Sequence, residues 1–542
     1  MRYFSLIIIF TITGLFSFAQ RDSVRRQTID ITSSYKPVLR NAVKINLSAS
    51  PLTADTSRPR LKYSIPSQNL FFSYQPITLK PLALLQDSAL ALGLRNYIKV
   101  GFGNYGTPYV NAGFSFGDGK KSLINLYADY ISSKGNIKNQ DFAEFNVKGL
   151  GSYFTAKNEV YGGVGIKNRG YHLYGYDHDA FDFEKGIIKR QYQDIMIGGG
   201  IRNIVSNDLR FNYNPHFEAH IFSRGNDISE SSLQVEAPFE KKFGDAFSVK
   251  ASAKADLTNF TNKLLSSTNN KIINNLFSLS PSLVITTDRF VFNAGINPTW
   301  DNSKVSMLPN LYGEAQLQDK VIMVQAGWVG RFIKNTFRSL STTNPYMQDP
   351  IFLTNTKEQQ LYGGIKATVG KHLNFNAKAA YISYTNMPLF INDTLDGKSF
   401  FVSNESRLKN FQIHGDASII SQDKFTITAA VDLNNYGGTV DNEKPWHLIP
   451  VELTGSFRWN AFRQVLLKGD LHTFSGAKAK LKGNKVKEVK GGTDLSAGAE
   501  FRVNEKFRAW ADLNNIFNNK YQRWNNYPVY GFQVMAGIIY NF

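Results

Sequence analysis

The chain ends with Tyr530-Gly531-Phe532-Gln533-Val534-Met535-Ala536-Gly537-Ile538-Ile539-Tyr540-Asn541-Phe542. In an extended strand, successive side chains point to opposite sides. One side of this stretch is therefore continuously apolar or aromatic, with Tyr530, Phe532, Val534, Ala536, Ile538, Tyr540 and Phe542. A terminal strand with such a face and a final aromatic residue is typical of the closing strand of a transmembrane β-barrel, so we predict a membrane location.

The beginning of the chain has the features of a secretory signal peptide. Arg2 precedes a largely apolar run, Leu6–Phe18, and the small residue Ala19 follows it. This order of charged, apolar and small residues predicts residues 1–19 as a signal peptide that is removed. After residue 20 we find no uninterrupted run of about 18 apolar residues, which excludes a helical span. A closed barrel is then the only architecture that can cross a membrane.

Composition and charge narrow the classes of partner. The chain has 62 Lys and Arg against 43 Asp and Glu, a net charge of +19 and no Cys, which excludes disulfides, thiolate metal sites and thiol nucleophiles. A basic excess often indicates nucleic acid, but a secreted chain meets none. We therefore expect lipopolysaccharide phosphates or anionic solutes as counterions. A soluble β-sandwich protein would have a similar composition, so composition alone does not separate the two classes.

Turn signals predict the number of strands. From Tyr97 onward, ten short polar connections precede apolar strands: Asp118-Gly119, Asn158-Glu159, Asn207-Asp208, Gly244-Asp245, Asp288-Arg289, Asp319-Lys320, Gly370-Lys371, Asp423-Lys424, Asn460-Ala461 and Glu505-Lys506. Longer polar connections lie between them. With short turns and both termini on the inner side, ten inner turns need eleven outer loops, which gives about 22 strands, with a range of 18–22. We predict an all-β transmembrane antiparallel barrel over residues 97–542.

Alternation supports the individual strands. One face of the stretch 373–381 is apolar or aromatic, whereas the other carries Asn374, Asn376 and Lys378. The stretches 425–433 and 290–297 repeat the pattern. A Lys or Arg on the lipid face costs about 2–4 kcal/mol at the bilayer midplane, so the polar faces are expected to line the lumen.

The carboxy-terminal region resembles a known family. Its motifs are Asp512-Leu513-Asn514-Asn515-Ile516-Phe517-Asn518-Asn519-Lys520-Tyr521, then Tyr527-Pro528, Gly531 and the final Tyr540-Asn541-Phe542. This pattern resembles the last strands of TonB-dependent outer-membrane receptors, in which an Asn-Leu-Phe-Asp/Asn-x-x-Tyr stretch ends the penultimate strand and Tyr-Pro-x-x-Gly opens the last. Ile516 replaces the usual Leu, and Tyr530 precedes the Gly. The match covers about 30 residues.

The resemblance implies a 22-strand barrel that takes part in solute uptake, recognition of Tyr540 and Phe542 by the barrel-assembly machinery, and TonB as a partner. Residues Thr28, Ile29, Asp30, Ile31 and Thr32 form a candidate TonB-contact segment. The alternating residues Phe507, Ala509, Ala511 and Leu513 are expected to face lipid. Phe517, Tyr521 and Trp524 are expected to lie in an interfacial aromatic girdle.

Residues 20–96 depart from the family pattern. This segment holds a third of the 18 prolines and shows little periodicity, which predicts an extended segment and not a compact plug. A 22-strand lumen without a plug would leak. One alternative is a reduced plug that threads the lumen, anchored by Tyr35, Tyr63, Phe71, Phe72 and Tyr74. The other is a periplasmic tail.

Two groups of polar residues share lumen-facing positions. His216, Glu218 and His220 alternate on one strand near its outer end, and their side chains are suitable ligands for zinc or copper. Residues four apart on a strand are about 13 Å apart, so at most two neighbours would bind one ion. His414, Asp416 and Ser418 form a second group, but their backbone spacing of about 6.6 Å argues against a nucleophilic relay. No nucleotide-binding or hydrolase motif accompanies them, so we expect neither a cofactor nor an enzymatic activity.

The connection Ser475–Gly491 is strongly basic. It contains one acid, Glu488, a probable tip at Gly483-Asn484, and six lysines: Lys478, Lys480, Lys482, Lys485, Lys487 and Lys490. On the outside of a barrel such a hairpin could bind lipopolysaccharide phosphates or gather an anionic ligand. The alternative is a solvated loop whose charge prevents strand pairing.

These features predict an outer-membrane barrel of a Gram-negative bacterium that serves solute uptake or capture. Two alternatives stay open: a non-transporting scaffold whose amino-terminal segment docks a periplasmic protein or a lipoprotein subunit, and a passive porin.

Overall fold

A computed structural model describes residues 96–264, 271–318, 322–369, 372–421 and 424–542. Its main sheet contains 24 hydrogen-bonded segments, but two barrel strands consist of two segments each, so the barrel has 22 strands. We number them as β1 Tyr97–Gly103, β2 Thr107–Gly117, β3 Ser122–Ser133, β4 Phe142–Phe154, β5 Asn158–His172, β6 Lys189–Asn203, β7 Phe211–Tyr213 with His216–Arg224, β8 Ile228–Phe243, β9 Phe247–Asn262, β10 Lys271–Leu279 with Ser282–Thr286, β11 Phe290–Asp301, β12 Lys304–Gln318, β13 Ile322–Ile333, β14 Thr356–Val369, β15 Leu373–Thr385, β16 Leu408–Ser421, β17 Phe425–Gly437, β18 Val451–Phe462, β19 Val465–Phe474, β20 Gly492–Arg502, β21 Phe507–Asn514 and β22 Gln533–Asn541.

The sheet is closed by its first and last strands. β22 pairs antiparallel with β1, from Tyr97 opposite Asn541 to Gly103 opposite Met535, and with β21 on its other side. Closure leaves no free sheet edge, which is the condition for a β-structure to cross a membrane. The predicted fold class and the count of 22 strands are confirmed.

The turns lie close to where the sequence placed them. Ten connections at one end of the barrel are short, and we assign this end to the periplasm. Asn158-Glu159 and Asn460-Ala461 belong to strands β5 and β18, and the turns lie a few residues away. The pairs at 319–320 and 370–371, and Asp423, lie outside the described residues. At the opposite, outer end the expectation of longer loops is wrong for three connections, because residues 104–106, 225–227 and 302–303 are as short as turns.

The lipid-facing wall has the predicted alternation. Phe290, Phe292 and Ile296 of β11 are 43–47% exposed, whereas Asn293 between them is 1% exposed and donates a side-chain hydrogen bond to Asn310 O. Exposed aromatic residues concentrate near both ends of the wall. Phe116, Tyr153, Phe243, Phe247, Trp459 and Phe507 lie at the inner end, and Phe102, Tyr130, Phe145, Trp300 and Phe411 lie toward the outer end. Two such girdles are typical of transmembrane barrels.

The closing strand is shorter than its alternation suggested. β22 begins at Gln533, so Tyr530 and Phe532 do not belong to its lipid-facing side. Tyr530 is 3% exposed, stacks on Phe142 at 5.8 Å and donates its hydroxyl hydrogen to Gln140 O at 2.6 Å. The strand stops there because the chain turns inward to pack with the outer loops.

Two further findings complete the architecture. Among the described ranges, no helix is long and apolar enough to cross a membrane. The expected signal peptide 1–19, the segment 20–95 with its aromatic anchors, and the candidate TonB-contact segment all lie outside the described residues.

Candidate functional site

The outer connections pack together into one structure that we call the loop cap. It comprises residues 134–141, 173–188, 334–355, 386–407, 438–450, 475–491 and 515–532. The cap contains two short helices, α1 Lys185–Ile188 and α2 Phe337–Thr343, and three two-stranded pairs, the longest of which joins Met387–Asn392 to Phe400–Glu405. Its hydrophobic core includes Leu173, Ile188, Leu340, Met347, Leu353, Phe390 and Phe400.

Three tyrosines from different loops meet at the centre of the cap, and we call them the tyrosine triad. The Tyr346 and Tyr527 rings are stacked 3.7 Å apart, and Tyr174 lies 4.8 Å from Tyr527 and 5.9 Å from Tyr346. Eight strands, β6–β13, separate the first two of their three loops around the wall; eight more, β14–β21, separate the second and third; and six, β22 with β1–β5, separate the third and the first. Loops spread so evenly around a closed barrel can meet only near its axis. The triad therefore lies across the outer mouth of the lumen.

Hydrogen bonds and an ion pair also hold these loops in place across the mouth. Tyr192 Oη donates to Pro345 O at 2.8 Å, Tyr174 Oη donates to Pro528 O at 2.9 Å, and Tyr527 Oη donates to Lys398 O. Arg224 at the outer end of β7 forms an ion pair with Asp349, Nη2 to Oδ2 at 2.6 Å. Burial raises the pKa of the Tyr346 and Tyr527 phenols, so both stay neutral donors at physiological pH.

Local sequence explains why the loop 334–355 reaches the centre. Thr336 begins helix α2 with a capping box, in which its hydroxyl accepts from Ser339 N at 3.0 Å and the Ser339 hydroxyl accepts from Thr336 N at 2.8 Å. The helix then buries Phe337 and Leu340. The Glu230 carboxylate of β8 accepts the backbone N–H groups of Phe337 and Arg338, which places a negative charge at the positive end of the helix.

A buried histidine joins two further loops. His447 Nδ1 lies 2.7 Å from Phe390 O, and His447 Nε2 accepts from Asn525 N at 3.4 Å. The ring is therefore neutral with its proton on Nδ1. Burial lowers the pKa of His447 to about 4. Arg523 donates from Nη1 to His447 O at 2.8 Å, and burial lowers the pKa of that guanidinium to about 9.

A cavity of about 140 Å³ lies beneath the cap against β4 and β5. Its wall side carries Glu144, Lys167, Arg169 and Tyr171, and its cap side includes Tyr346 and Trp524. Arg169 donates to Thr342 Oγ1 at 3.2 Å, and Tyr171 donates its hydroxyl hydrogen to Glu144. Aromatic faces beside charges of both signs suit a solute with a ring and polar substituents.

Of the three residues proposed as metal ligands, the structure brings Glu218 and His220 into contact and leaves His216 apart. His220 Nδ1 lies 2.8 Å from Asp194 Oδ1 and its Nε2 lies 2.6 Å from Glu218 Oε1, whereas His216 Nδ1 lies 2.9 Å from Asn214 O. The strand β7 places His216 and Glu218 in the middle of the wall and not near its outer end. Within the described ranges, no group of three His, Cys, Asp or Glu residues is arranged to hold a metal ion. Metal capture stays a prediction.

In the second lumen-facing group, His414 contacts Asp416, although the backbone spacing of the two residues argued against such a contact. His414 Nε2 lies 3.1 Å from Asp416 Oδ1, and Nδ1 lies 2.9 Å from Asp432 Oδ1 on β17. The side chains close the gap that the backbone spacing leaves. Since both ring nitrogens contact carboxylates, neither is directed at the Ser418 hydroxyl as a nucleophilic relay would require.

The lysine-rich connection folds as predicted into a hairpin. Lys478–Lys480 pairs with Val486–Glu488, and the tip residues Gly483 and Asn484 have φ values of 71° and 58°. Ala477, Ala479 and Val489 are buried against the cap, and Lys487 Nζ donates to Asn525 Oδ1 at 2.8 Å. Lys478, Lys482, Lys485 and Lys490 are exposed and Lys480 is half-buried. Their binding of anions stays a prediction.

Several aromatic residues of the carboxy-terminal motif have other places than expected. Tyr521 and Trp524 are 0% and 1% exposed and lie inside the cap, so they do not belong to an interfacial girdle. Tyr527-Pro528 pairs with Gln522–Trp524 and does not open the last strand. Phe507 and Leu513 face lipid as predicted. Tyr540 stacks with the exposed Phe542 at 5.4 Å, and their recognition by an assembly machinery stays a prediction.

The sequence of the outer connections contains a signal for the cap. The outer connections hold Tyr174, Tyr346, Trp446, Trp524 and Tyr527, all of which are 6% exposed or less. Loops that are fully exposed to solvent rarely contain so many large aromatic side chains. Aromatic residues clustered in long connections thus indicate packing between loops.

Comparison with known proteins gives a consistent result for the fold. No family model and no curated protein matches the sequence. Among solved structures, the ferripyoverdine receptor of the outer membrane of Pseudomonas aeruginosa superposes with a TM-score of 0.61 at 10% identity, over 83% of this chain and 72% of that chain. The chain has the fold of a TonB-dependent outer-membrane receptor.

Two other outer-membrane proteins have a similar structure. The FrpB iron transporter from Neisseria meningitidis has a TM-score of 0.63 at 9% identity, over 83% of this chain and 81% of that chain. The ferric enterobactin receptor of P. aeruginosa has a TM-score of 0.62 at 9% identity, over 83% of this chain and 80% of that chain. The likeness is one of architecture, because the identities are low.

Proposed function

We propose that this protein captures a solute at the outer surface of a Gram-negative outer membrane and takes part in its uptake through the barrel. The observation that carries the proposal is the loop cap, which crosses the mouth at the tyrosine triad and leaves a cavity of about 140 Å³ beneath it. A solute that binds there would contact Arg169 and Glu144 of the wall and Tyr346 of the cap together. Binding and movement of the cap would then be coupled.

The cap argues against a passive porin. A porin conducts through an open, water-filled mouth, whereas here three loops from around the wall meet at the axis. Opening requires that stacked and buried aromatic rings separate. Passage is therefore gated on the outer side.

Energised uptake through TonB is part of the proposal. It is supported by the receptor fold, shared with an iron transporter and with receptors of ferripyoverdine and ferric enterobactin. The segment Thr28–Thr32 would supply the contact with TonB. The solute of this chain is defined only by class, as a molecule that combines a ring with polar or charged substituents.

A scaffold that docks a protein partner is the second candidate. The observation that favours it is a set of exposed apolar side chains in the cap loops, where Ile351, Phe352 and Leu395 are 70%, 48% and 83% exposed. Exposed apolar groups on otherwise polar loops are typical of docking surfaces. A lipoprotein subunit that copurifies in stoichiometric amount, together with no solute-dependent uptake in cells, would favour this candidate.

A reversible cross-link tests the proposed gate. Since the chain has no Cys, Arg224→Cys with Asp349→Cys introduces a unique thiol pair across the mouth, where the native side chains meet at 2.6 Å. A short bis-methanethiosulfonate reagent forms a disulfide with each thiol and releases methanesulfinate, and this cross-link should abolish uptake in a deletion strain screened with metals, siderophores and glycans. Reductant cleaves both disulfides and should restore uptake.

The matched control places both thiols within one loop. Pro388→Cys with Asn404→Cys joins two directly paired positions of the same cap hairpin, so its cross-link does not bridge the mouth. Uptake should be unaffected. Full uptake through the cross-linked Arg224→Cys/Asp349→Cys protein would contradict gating by the cap.

A further inference from the structure

A second cavity lies at the outer end of β17, outside the region of the tyrosine triad. Its volume is about 350 Å³, within the usual range for ligand sites. Asn435 of β17, Thr439 and Lys444 of the following loop, and Lys478 of the lysine-rich hairpin line it, together with one acid, Glu443. Three chain segments thus contribute to one recess.

The recess opens beside the lipid-facing wall. Asn435 is paired with Phe411 of β16, and both are exposed and share the side of the sheet that faces lipid. Two residues further down the wall, Leu433 is paired with Val451, and each is 39% exposed. The recess has both polar and apolar lining residues, and at Asn435 it adjoins an apolar surface that continues down the wall.

Two lysines line the recess, and a third lies beside it. Lys444 and Lys478 line it, and the side chain of Lys409 packs over Gly438, whose added Cβ would lie 3.2 Å from Lys409 Cδ. Within the described ranges, none of these lysines forms an ion pair, although Glu443 lies nearby. Lys444, Lys478 and the neighbouring Lys409 outnumber two acids, Glu443 of the lining and Glu488, which is directly opposite Lys478 across the hairpin. The remaining positive charge favours an anion with several oxygens.

We propose that this recess binds a phosphorylated glycolipid of the outer leaflet, namely lipopolysaccharide. Its phosphate would contact Lys409, Lys444 and Lys478, and the amide of Asn435 and hydroxyl of Thr439 would meet sugar hydroxyls. The acyl chains would run along Leu433 and the neighbouring Phe411 and Val451. A free phosphate would use the lysines alone, whereas a glycolipid uses the lysines and the apolar wall together.

The test measures binding of lipid A with two phosphates to the purified full chain in detergent. The triple variant Lys409→Gln, Lys444→Gln and Lys478→Gln should weaken binding about tenfold at 0.15 M salt, because three charge-assisted contacts are lost. Dephosphorylated lipid A should bind the native protein weakly, and inorganic phosphate should compete only at far higher concentration. Unchanged heat-modifiable migration in gels verifies that the variant barrel is folded.

The matched control removes the same charge elsewhere on the hairpin. Lys482→Gln, Lys485→Gln and Lys490→Gln lie outside the recess lining and should change binding less than about twofold, since distant surface charges are screened at this salt concentration. Equal weakening by the two triple variants would overturn the site, since binding would then follow net charge. Equal affinity for dephosphorylated lipid A, or competition by equimolar inorganic phosphate, would overturn it as well.

Discussion

Removing the Tyr527 ring should open the loop cap without unfolding the barrel. Tyr527 is 0% exposed, is stacked on Tyr346 at 3.7 Å and lies 4.8 Å from Tyr174. Truncation of a buried aromatic side chain to Ala costs about 3–5 kcal/mol. Each 1.4 kcal/mol is a factor of ten, so Tyr527→Ala should raise the equilibrium constant for opening of the cap roughly a thousandfold.

Hydrogen exchange in nanodiscs can measure this opening. Amides of helix α2 and the turn after it report on the cap, for example Asn344 N, which donates to Leu340 O at 2.8 Å. Amides of β15, which pairs on both sides with neighbouring strands, report on the barrel. In Tyr527→Ala the first group should lose several kcal/mol of protection, and the second should keep its protection because the wall hydrogen bonds are untouched.

Tyr527→Phe is the matched control. It keeps the ring and its two stacking partners and removes only the hydroxyl that donates to Lys398 O. The expected loss is about 1 kcal/mol. If Tyr527→Ala and Tyr527→Phe gave the same exchange rates in the cap, or if Tyr527→Ala left them at the native values, the reasoning that the triad holds the mouth closed would be refuted.

Three further changes should have distinct effects. Burial lowers the pKa of His447 from about 6.5 to about 4, so its contribution of about 3 kcal/mol is complete above pH 6.5 and is lost as the pH falls toward 4. The protection factors of cap amides, which are corrected for the intrinsic pH dependence of exchange, should therefore be smaller at pH 4.5 than at pH 7.5, and His447→Gln should flatten this difference. Thr336→Ala removes the helix cap and should lower protection of α2 by about 1 kcal/mol, whereas Thr336→Ser should not. Arg169→Met should slow solute uptake yet leave cap exchange nearly unchanged, because its exposed hydrogen bond to Thr342 contributes under about 1 kcal/mol; equal losses in both assays would assign it a structural role only.

The wall of this protein could be predicted from the sequence because its strands and turns are determined by residues that are close together along the chain. Strands such as 373–385 alternate with period two, and short polar pairs mark where the chain reverses. Each strand needs only its neighbours along the chain to satisfy its backbone hydrogen bonds, except β1 and β22, which pair with each other. The strand count followed from these local signals alone.

The cap could not be predicted in the same way. Its contacts join residues far apart, such as Tyr192 and Pro345, separated by 153 positions, or Tyr530 and Gln140, separated by 390. No periodic pattern encodes such pairs. Alternation alone predicts that Tyr530 faces lipid, but the loop before β22 packs inward and carries the residue into the cap.

The asparagines of the carboxy-terminal motif acquire a physical role in the structure. Asn515, Asn518 and Asn526 have φ values of 49°, 50° and 68°, a region that Asn tolerates better than most residues. Asn515 also donates from Nδ2 to Asn519 O and Tyr530 O at 2.9 and 2.8 Å. The motif therefore shapes a compact loop that carries Tyr527 to the axis, and Asn pairs in the sequence were a readable sign of that loop.

A cap made of loops can open at a cost that a bound solute can supply. The wall is held by paired backbone hydrogen bonds, whereas the cap is held mainly by packed side chains such as Tyr346 and Phe400, so the cap can separate as an independent unit. To move it from one part in a hundred open to nearly fully open, a solute must bind the open form more tightly by about 5.5 kcal/mol. A solute with micromolar affinity has about 8 kcal/mol of binding free energy, so it can open the cap only if most of that energy comes from contacts absent in the closed form.

Wall residues such as Arg169 are present in both forms, and they alone cannot drive opening. The decisive contacts must come from cap residues that turn toward the lumen once the triad separates, and substitutions of the cap should therefore change apparent affinity more than substitutions of the wall.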